Sequence, residues 1–118
     1  MKLIVFGCLM ASIGALASVS AATGFISVYN SSNFIVKFKV EYDKEGQLKK
    51  WDSGDILPGV MKTIVVPDGA KKVFFKSYNT LFLGPPNDIF GAFFLGPVKK
   101  CYEIYGTSLD PKHKLIEC

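Results

Sequence analysis

The chain has 118 residues, 49% of them hydrophobic and 20% charged, and its fourteen basic residues outnumber ten acidic ones for a formal net charge of +4. Every basic residue is a lysine. Nucleic-acid readers and phosphate sites lean on the bidentate guanidinium fork that lysine cannot copy, so a nucleic-acid partner is not expected.

Met1-Lys2 opens the chain, followed by an uncharged apolar run from Leu3 to Ala17 and the small residues Ser18-Val19-Ser20-Ala21-Ala22. That order is the secretory signal pattern and predicts a leader over residues 1–22, cleaved after Ala22. Removing residues 1–22 from 118 leaves 96, enough for one small domain over residues 23–118. Cys8 departs with the leader, so Cys101 and Cys118 remain and are expected to pair in an oxidising compartment. Closing that loop contributes about 3 kcal/mol on a chain-entropy account. Two cysteines and one histidine leave no zinc site of the four-cysteine or two-cysteine, two-histidine kind. No later run reaches the ~20 apolar residues a membrane helix needs. The expected protein is secreted, extracellular and not an integral membrane protein.

Phe25 to Tyr29 reads as a first strand, ended by the turn formers Asn30-Ser31-Ser32-Asn33. From Phe34 to Tyr42 the pattern alternates: Phe34, Val36, Phe38, Val40 and Tyr42 share one face, Lys37, Lys39 and Glu41 the other. Period two marks a half-buried antiparallel strand. Lys44-Glu45-Gly46 turns the chain into its hairpin partner, Gln47–Trp51. A loop through Ser53-Gly54-Asp55 and Leu57-Pro58-Gly59 leads to a strand at Met61–Val66, closed by Pro67-Asp68-Gly69. Val73–Tyr78 follows, then an apolar stretch over Leu81–Pro97, then a strand at Cys101–Tyr105, a turn at Asp110-Pro111 and a last strand at Lys114–Ile116. Short strands without helical periodicity predict an all-β fold, a small antiparallel β-sandwich of about 7–8 short strands. Cys101 and Cys118 then clasp a C-terminal hairpin.

The progression Phe25–Asn30, Leu57-Pro58-Gly59 and Thr63–Pro67 is similar in rhythm to the opening strands of thaumatin-like proteins and to small membrane-binding β-sandwich toxins. It covers less than half of the mature chain and uses residue types common to such sandwiches. Two mature cysteines also depart from the cysteine-rich thaumatin-like pattern, so no functional residue carries over.

Leu81-Phe82-Leu83-Gly84-Pro85-Pro86-Asn87-Asp88-Ile89-Phe90-Gly91-Ala92-Phe93-Phe94-Leu95-Gly96-Pro97 has one charge and repeats Phe-Leu-Gly-Pro at both ends. Three readings compete. In the plainest, Ile89–Leu95 is a buried strand and the Leu-Gly-Pro units are its turns. In the second, Phe82, Leu83, Phe90, Phe93 and Phe94 form an exposed partner-binding patch. In the third, that patch enters a lipid interface while Lys99 and Lys100 meet anionic headgroups.

Chemistry is sparse. His113 sits in a lysine-flanked turn, without the companions that acid-base or nucleophilic catalysis requires. Asp52, Asp55 and Asp88 are the loop carboxylates, but the domain offers little room for the cleft of a glycosidase. Trp51–Asp55 lacks the remaining ligands and the flanking helices of a calcium loop, and no metal or cofactor site is expected. Asn30-Ser31-Ser32 is an N-glycosylation sequon that makes Asn30 a candidate acceptor. The resulting expectation is a secreted, non-enzymatic binding protein of defence, effector or toxin type. Its partner is an extracellular protein, a glycan or a lipid surface. The alternative is a membrane-active sandwich using the 82–95 region, and the third choice is a small hydrolase or protease inhibitor.

Overall fold

The computed structural model describes residues 23–80 and 87–118. The predicted leader over residues 1–22, and with it the cleavage point, lies outside the described residues, as do Phe82 and Leu83. Eight strands follow in order: β1 (Gly24–Asn30), β2 (Val36–Lys44), β3 (Gln47–Asp52), β4 (Met61–Val66), β5 (Lys71–Asn79), β6 (Asn87–Phe94), β7 (Lys99–Thr107) and β8 (Asp110–Ile116). They form two four-stranded sheets, β4-β1-β7-β8 and β3-β2-β5-β6, packed as a sandwich. The all-β expectation and its strand number hold. One pair departs from the antiparallel expectation: β1 runs parallel to β7, with Phe25 opposite Lys99 and Asn30 opposite Ile104. Parallel neighbours need a long crossover, and the excursion of the chain through the second sheet supplies it.

Alternation sets the core. Ile26, Val28, Ile64, Val66, Tyr102 and Ile104 from one sheet face Val36, Phe38, Val40, Val73 and Phe75 from the other. Aromatic rings link the layers: Phe38 lies 5.0 Å from Trp51 and 5.5 Å from Phe75, which stacks on Tyr102 of the opposite sheet at 5.3 Å. Gly24 is required at the start of β1, because a Cβ there would collide with the Val98 backbone. Its neighbour Phe25 donates its N–H to the Val98 carbonyl at 2.8 Å. The β2–β3 turn takes positive φ at both Glu45 and Gly46, the mirror-image geometry that matches strand twist.

Two expectations need correction. The first concerns β6, which reads in sequence as uniformly apolar without a wet face. A bulge shifts the register between Ser77 opposite Phe90 and Tyr78 opposite Asp88, which leaves Ile89 as the extra residue. Beyond the bulge, Phe90, Ala92 and Phe94 pack against the core, whereas Gly91 and Phe93 face outward with Phe93 47% exposed. The second concerns His113, expected in a turn. It lies within β8 opposite Ile104, and its ring is parallel to that of Phe90 at 3.8 Å. The turn falls earlier, at Ser108-Leu109, and Pro111 enters the strand opposite Gly106. β8 is an edge strand, where a residue without an N–H is tolerated. The C-terminal clasp is as expected: Cys101 and Cys118 are disulfide-bonded with Cα atoms 5.5 Å apart.

Candidate functional site

Strand directions sort the connections into two ends. One end holds the 45–46 hairpin turn, the 67–70 turn, the 95–98 link and the chain terminus after β8. The other holds residues 31–35, residues 53–60 and the Ser108-Leu109 turn, and β5 and β6 also meet there at Asn79 opposite Asn87. This second end, the loop end, carries apolar side chains where turn chemistry alone would place polar ones: Leu109 is 94% exposed, Leu57 53% and Val60 38%.

Two fully buried asparagines fix the loops there. Asn30 closes β1, and its amide donates to the Phe34 carbonyl at 2.7 Å and the Ile56 carbonyl at 2.8 Å. Its side-chain oxygen accepts from the Ser32 N–H at 2.9 Å and also from the Ser32 hydroxyl. Its backbone ties the same loop, with the Asn30 N–H on the Val60 carbonyl and the Gly59 N–H on the Asn30 carbonyl. Asn79 closes β5, donating to the Ser108 carbonyl at 3.2 Å and accepting from the Asn87 N–H at 3.3 Å. Each amide bridges backbone from separate connections. Leu57, Val60 and Leu109 therefore project from loops held by buried hydrogen bonds.

Most charges at this end are paired. Lys37 pairs with Asp55 at 3.7 Å, Lys76 with Asp88 at 3.1 Å and Lys112 with Asp110 at 2.9 Å. Asp110 holds the Lys112 amine above its ordinary pKa through that hydrogen bond and its charge. Lys62 donates to the Ser53 carbonyl at 3.1 Å. Asp52 accepts from the Gly54 N–H and from the Tyr78 hydroxyl, whose pKa is raised by burial and by the Asp52 charge.

The residues singled out from sequence are scattered. Phe90 is half-buried, between Tyr102 at 4.9 Å and His113. Phe94 packs against the core. Phe93 stands on the outer face of the β3-β2-β5-β6 sheet, 4.7 Å from Phe74. Lys99 and Lys100 begin β7 at the end opposite the loops. Phe90, Phe93, Phe94, Lys99 and Lys100 are thus not assembled into one patch. The outer sheet face instead carries a shallow groove of about 810 Å³ over Gly91, bordered by Lys39, Glu41, Phe74, Lys76, Asp88 and Phe93. Leu57, Val60, Leu109 and Asn79 escaped sequence reasoning, as did the loop-tying role of Asn30, which the sequence marks only as a candidate glycan acceptor. The available signal was a leucine inside a segment of turn formers, as in Leu57-Pro58-Gly59 and Ser108-Leu109-Asp110.

No known protein family and no curated protein matches the sequence. Solved structures do match the fold. The chain is similar to listeriolysin O, with 20% identity and a TM-score of 0.66 over 81% of this chain and 22% of that one. It is similar to the cytotoxin suilysin from Streptococcus suis, with 15% identity and a TM-score of 0.67 over 81% and 23%. It is also similar to the membrane-binding domain of pneumolysin, with 15% identity and a TM-score of 0.65 over 81% of this chain and 97% of that domain. The chain thus spans less than a quarter of the whole cytolysins but nearly all of the isolated domain.

Proposed function

We propose that this protein is a secreted, non-enzymatic module that binds lipid surfaces peripherally, docking by its loop end. The observation that carries the reading is the set of exposed aliphatic side chains, Leu57, Val60 and Leu109, on loops fixed by buried Asn30 and Asn79. Each leucine moved from water into an apolar medium contributes about 1.5–3 kcal/mol. Their anchoring limits the ordering cost of docking. Similarity to a domain named for membrane binding supports the same reading. The disulfide fits an oxidising, extracellular setting. Among the described residues no helix is long and apolar enough to cross a membrane. The expectation that Phe82 and Leu83 meet lipid enters this proposal on sequence grounds.

Vesicle flotation tests it. Wild-type protein is expected to float with vesicles, and Leu57→Ser with Leu109→Ser to weaken binding more than tenfold while the melting curve stays cooperative, because both side chains are exposed. Equal flotation of the two proteins would sink the proposal. A second reading rests on the Phe74–Phe93 ring pair beside the Gly91 groove, a surface suited to an extracellular protein or glycan. A Phe93→Ser variant that floats normally but no longer binds cells would favour it.

A further inference from the structure

The lipid-docking reading leaves open which lipids the loop end takes, and the placement of charge speaks to that. Residues 23–118 contain thirteen lysines and ten carboxylates. Near the loop end stand six lysines, Lys37, Lys39, Lys62, Lys76, Lys112 and Lys114, against five carboxylates, Asp52, Asp55, Asp88, Glu103 and Asp110. Four of these lysines are in ion pairs, Lys62 is held on a backbone carbonyl and Lys39 lies over the Tyr78 ring. Of the three excess lysines of residues 23–118, one therefore falls near the loop end and two lie elsewhere. At the opposite end, Lys71, Lys72, Lys99 and Lys100 have no carboxylate within ion-pair distance among the described residues.

From these positions we infer that the loop end takes an electrically neutral lipid surface, such as a zwitterionic phosphocholine layer, and that anionic headgroups contribute little to binding. This inference rests on the lipid-docking reading. Distance decides which charges matter. A nine-residue strand such as β2 rises about 30 Å from one end of the sandwich to the other. The Debye length at 0.1 M salt is about 10 Å, so the far lysines sit some three screening lengths from a surface at the loops. A lysine adjacent to an anionic surface gains about 1 kcal/mol, but here five carboxylates offset six lysines near the loops, and four of the lysines are paired with them. Exposed ion pairs of this type add little to stability. Their effect at the loop end is to cancel charge beside Leu57, Val60 and Leu109.

The test compares flotation of the oxidised full chain, processed as it is secreted, with vesicles of phosphatidylcholine alone and of phosphatidylcholine containing one part in three of phosphatidylserine, each at low and high salt. Affinity is expected to agree between the two compositions within about threefold and to hold as salt rises. The variant carrying Asp55→Asn and Asp110→Asn frees Lys37 and Lys112. It is expected to gain a preference for phosphatidylserine of about tenfold or more that salt abolishes. Lys71→Glu with Lys99→Glu is expected to change nothing. A tenfold, salt-sensitive preference of the wild type for phosphatidylserine overturns the neutral-surface inference and leaves lipid docking standing. Absence of binding to either composition overturns both. If the double asparagine variant gains no preference, the ion pairs are not what sets lipid choice, and the inference fails on that count.

Discussion

Asn30 shows how one residue serves a purpose that its sequence motif does not declare. As the first residue of a sequon it is a candidate glycan acceptor, but its amide is fully buried and donates to two carbonyls. A glycan on that nitrogen would replace one of the two N–H donors and would have to sit in the protein interior, so a glycosylated chain is expected not to reach the folded state. Protein secreted from eukaryotic cells should show an unmodified Asn30 by mass spectrometry, and a folded, glycosylated form would refute this. Asn30→Ala strips donors from two carbonyls in the protein interior and is expected to cost about 3 kcal/mol, read as a lower urea midpoint at an unchanged slope. Tyr102 provides the pH dependence at this scale. Burial raises its phenol above 10.0 in the folded chain. The folded state then holds the proton more tightly than the unfolded state does. Stability from this group is intact below about pH 10 and is lost as pH climbs through the raised folded value. Tyr102→Phe is expected to reduce the alkaline fall in melting temperature, with Tyr78, also raised, supplying part of the remainder.

Among the elements, the β1–β7 pairing depends on Gly24. Any side chain there meets the Val98 backbone, so Gly24→Ala must push the two strands apart or unseat the 95–98 link. A loss of about 2 kcal/mol, or roughly 10 °C in Tm, is expected by calorimetry, and an unchanged Tm would show that the link yields freely. That parallel pairing is not legible in the sequence, because nothing local records which distant strand returns beside β1. β2 is legible, since its inward Val36, Phe38 and Val40 are separated by outward lysines. β6 is not, because both of its faces are apolar and a bulge at Ile89, rather than polarity, decides which way Phe93 points. Pro111 misled for a related reason: proline is a turn signal except on an unpaired edge, and edge position is a property of the assembled sheet. The loop end was least visible of all. It exists because Asn30 reaches a carbonyl 26 residues away and Asn79 one 29 residues away. The leucines it presents then resemble isolated exposed residues in the linear chain.

For the molecule as a whole, charge rather than apolar exposure defines an axis: exposed aliphatics stand at both ends, with Leu95 82% exposed at the far one, but Lys71, Lys72, Lys99 and Lys100 crowd that far end unpaired among the described residues. A body whose apolar tips at one end stand among paired charges, and at the other among unpaired lysines, lowers its free energy most by meeting a neutral lipid surface with the first end, the strands inclined to the surface and the lysine end in water. A body that bound through Phe74 and Phe93 would lie flat, because both stand on a sheet face. Leu109 and Leu48 distinguish the poses: both are exposed, Leu109 in the β7–β8 turn and Leu48 on β3 opposite Asp43, near the far end of β2. Single spin labels at Leu109→Cys, Leu48→Cys and Phe93→Cys, with the Cys101–Cys118 bond left intact, report depth through collisions with dissolved oxygen and with a water-soluble nickel complex. End-on docking is expected to shield only the Leu109 label from nickel and expose it to oxygen, while Leu48 and Phe93 stay wet. Shielding of Phe93 with Leu109 left in water would establish the flat pose. It would also move the site from the loops to the Gly91 groove. Since β6 and the Ser108-Leu109 turn belong to different sheets, no single pose that keeps the fold buries the Phe93 face and the Leu109 tip equally, and the label that loses nickel contact identifies the surface that meets lipid.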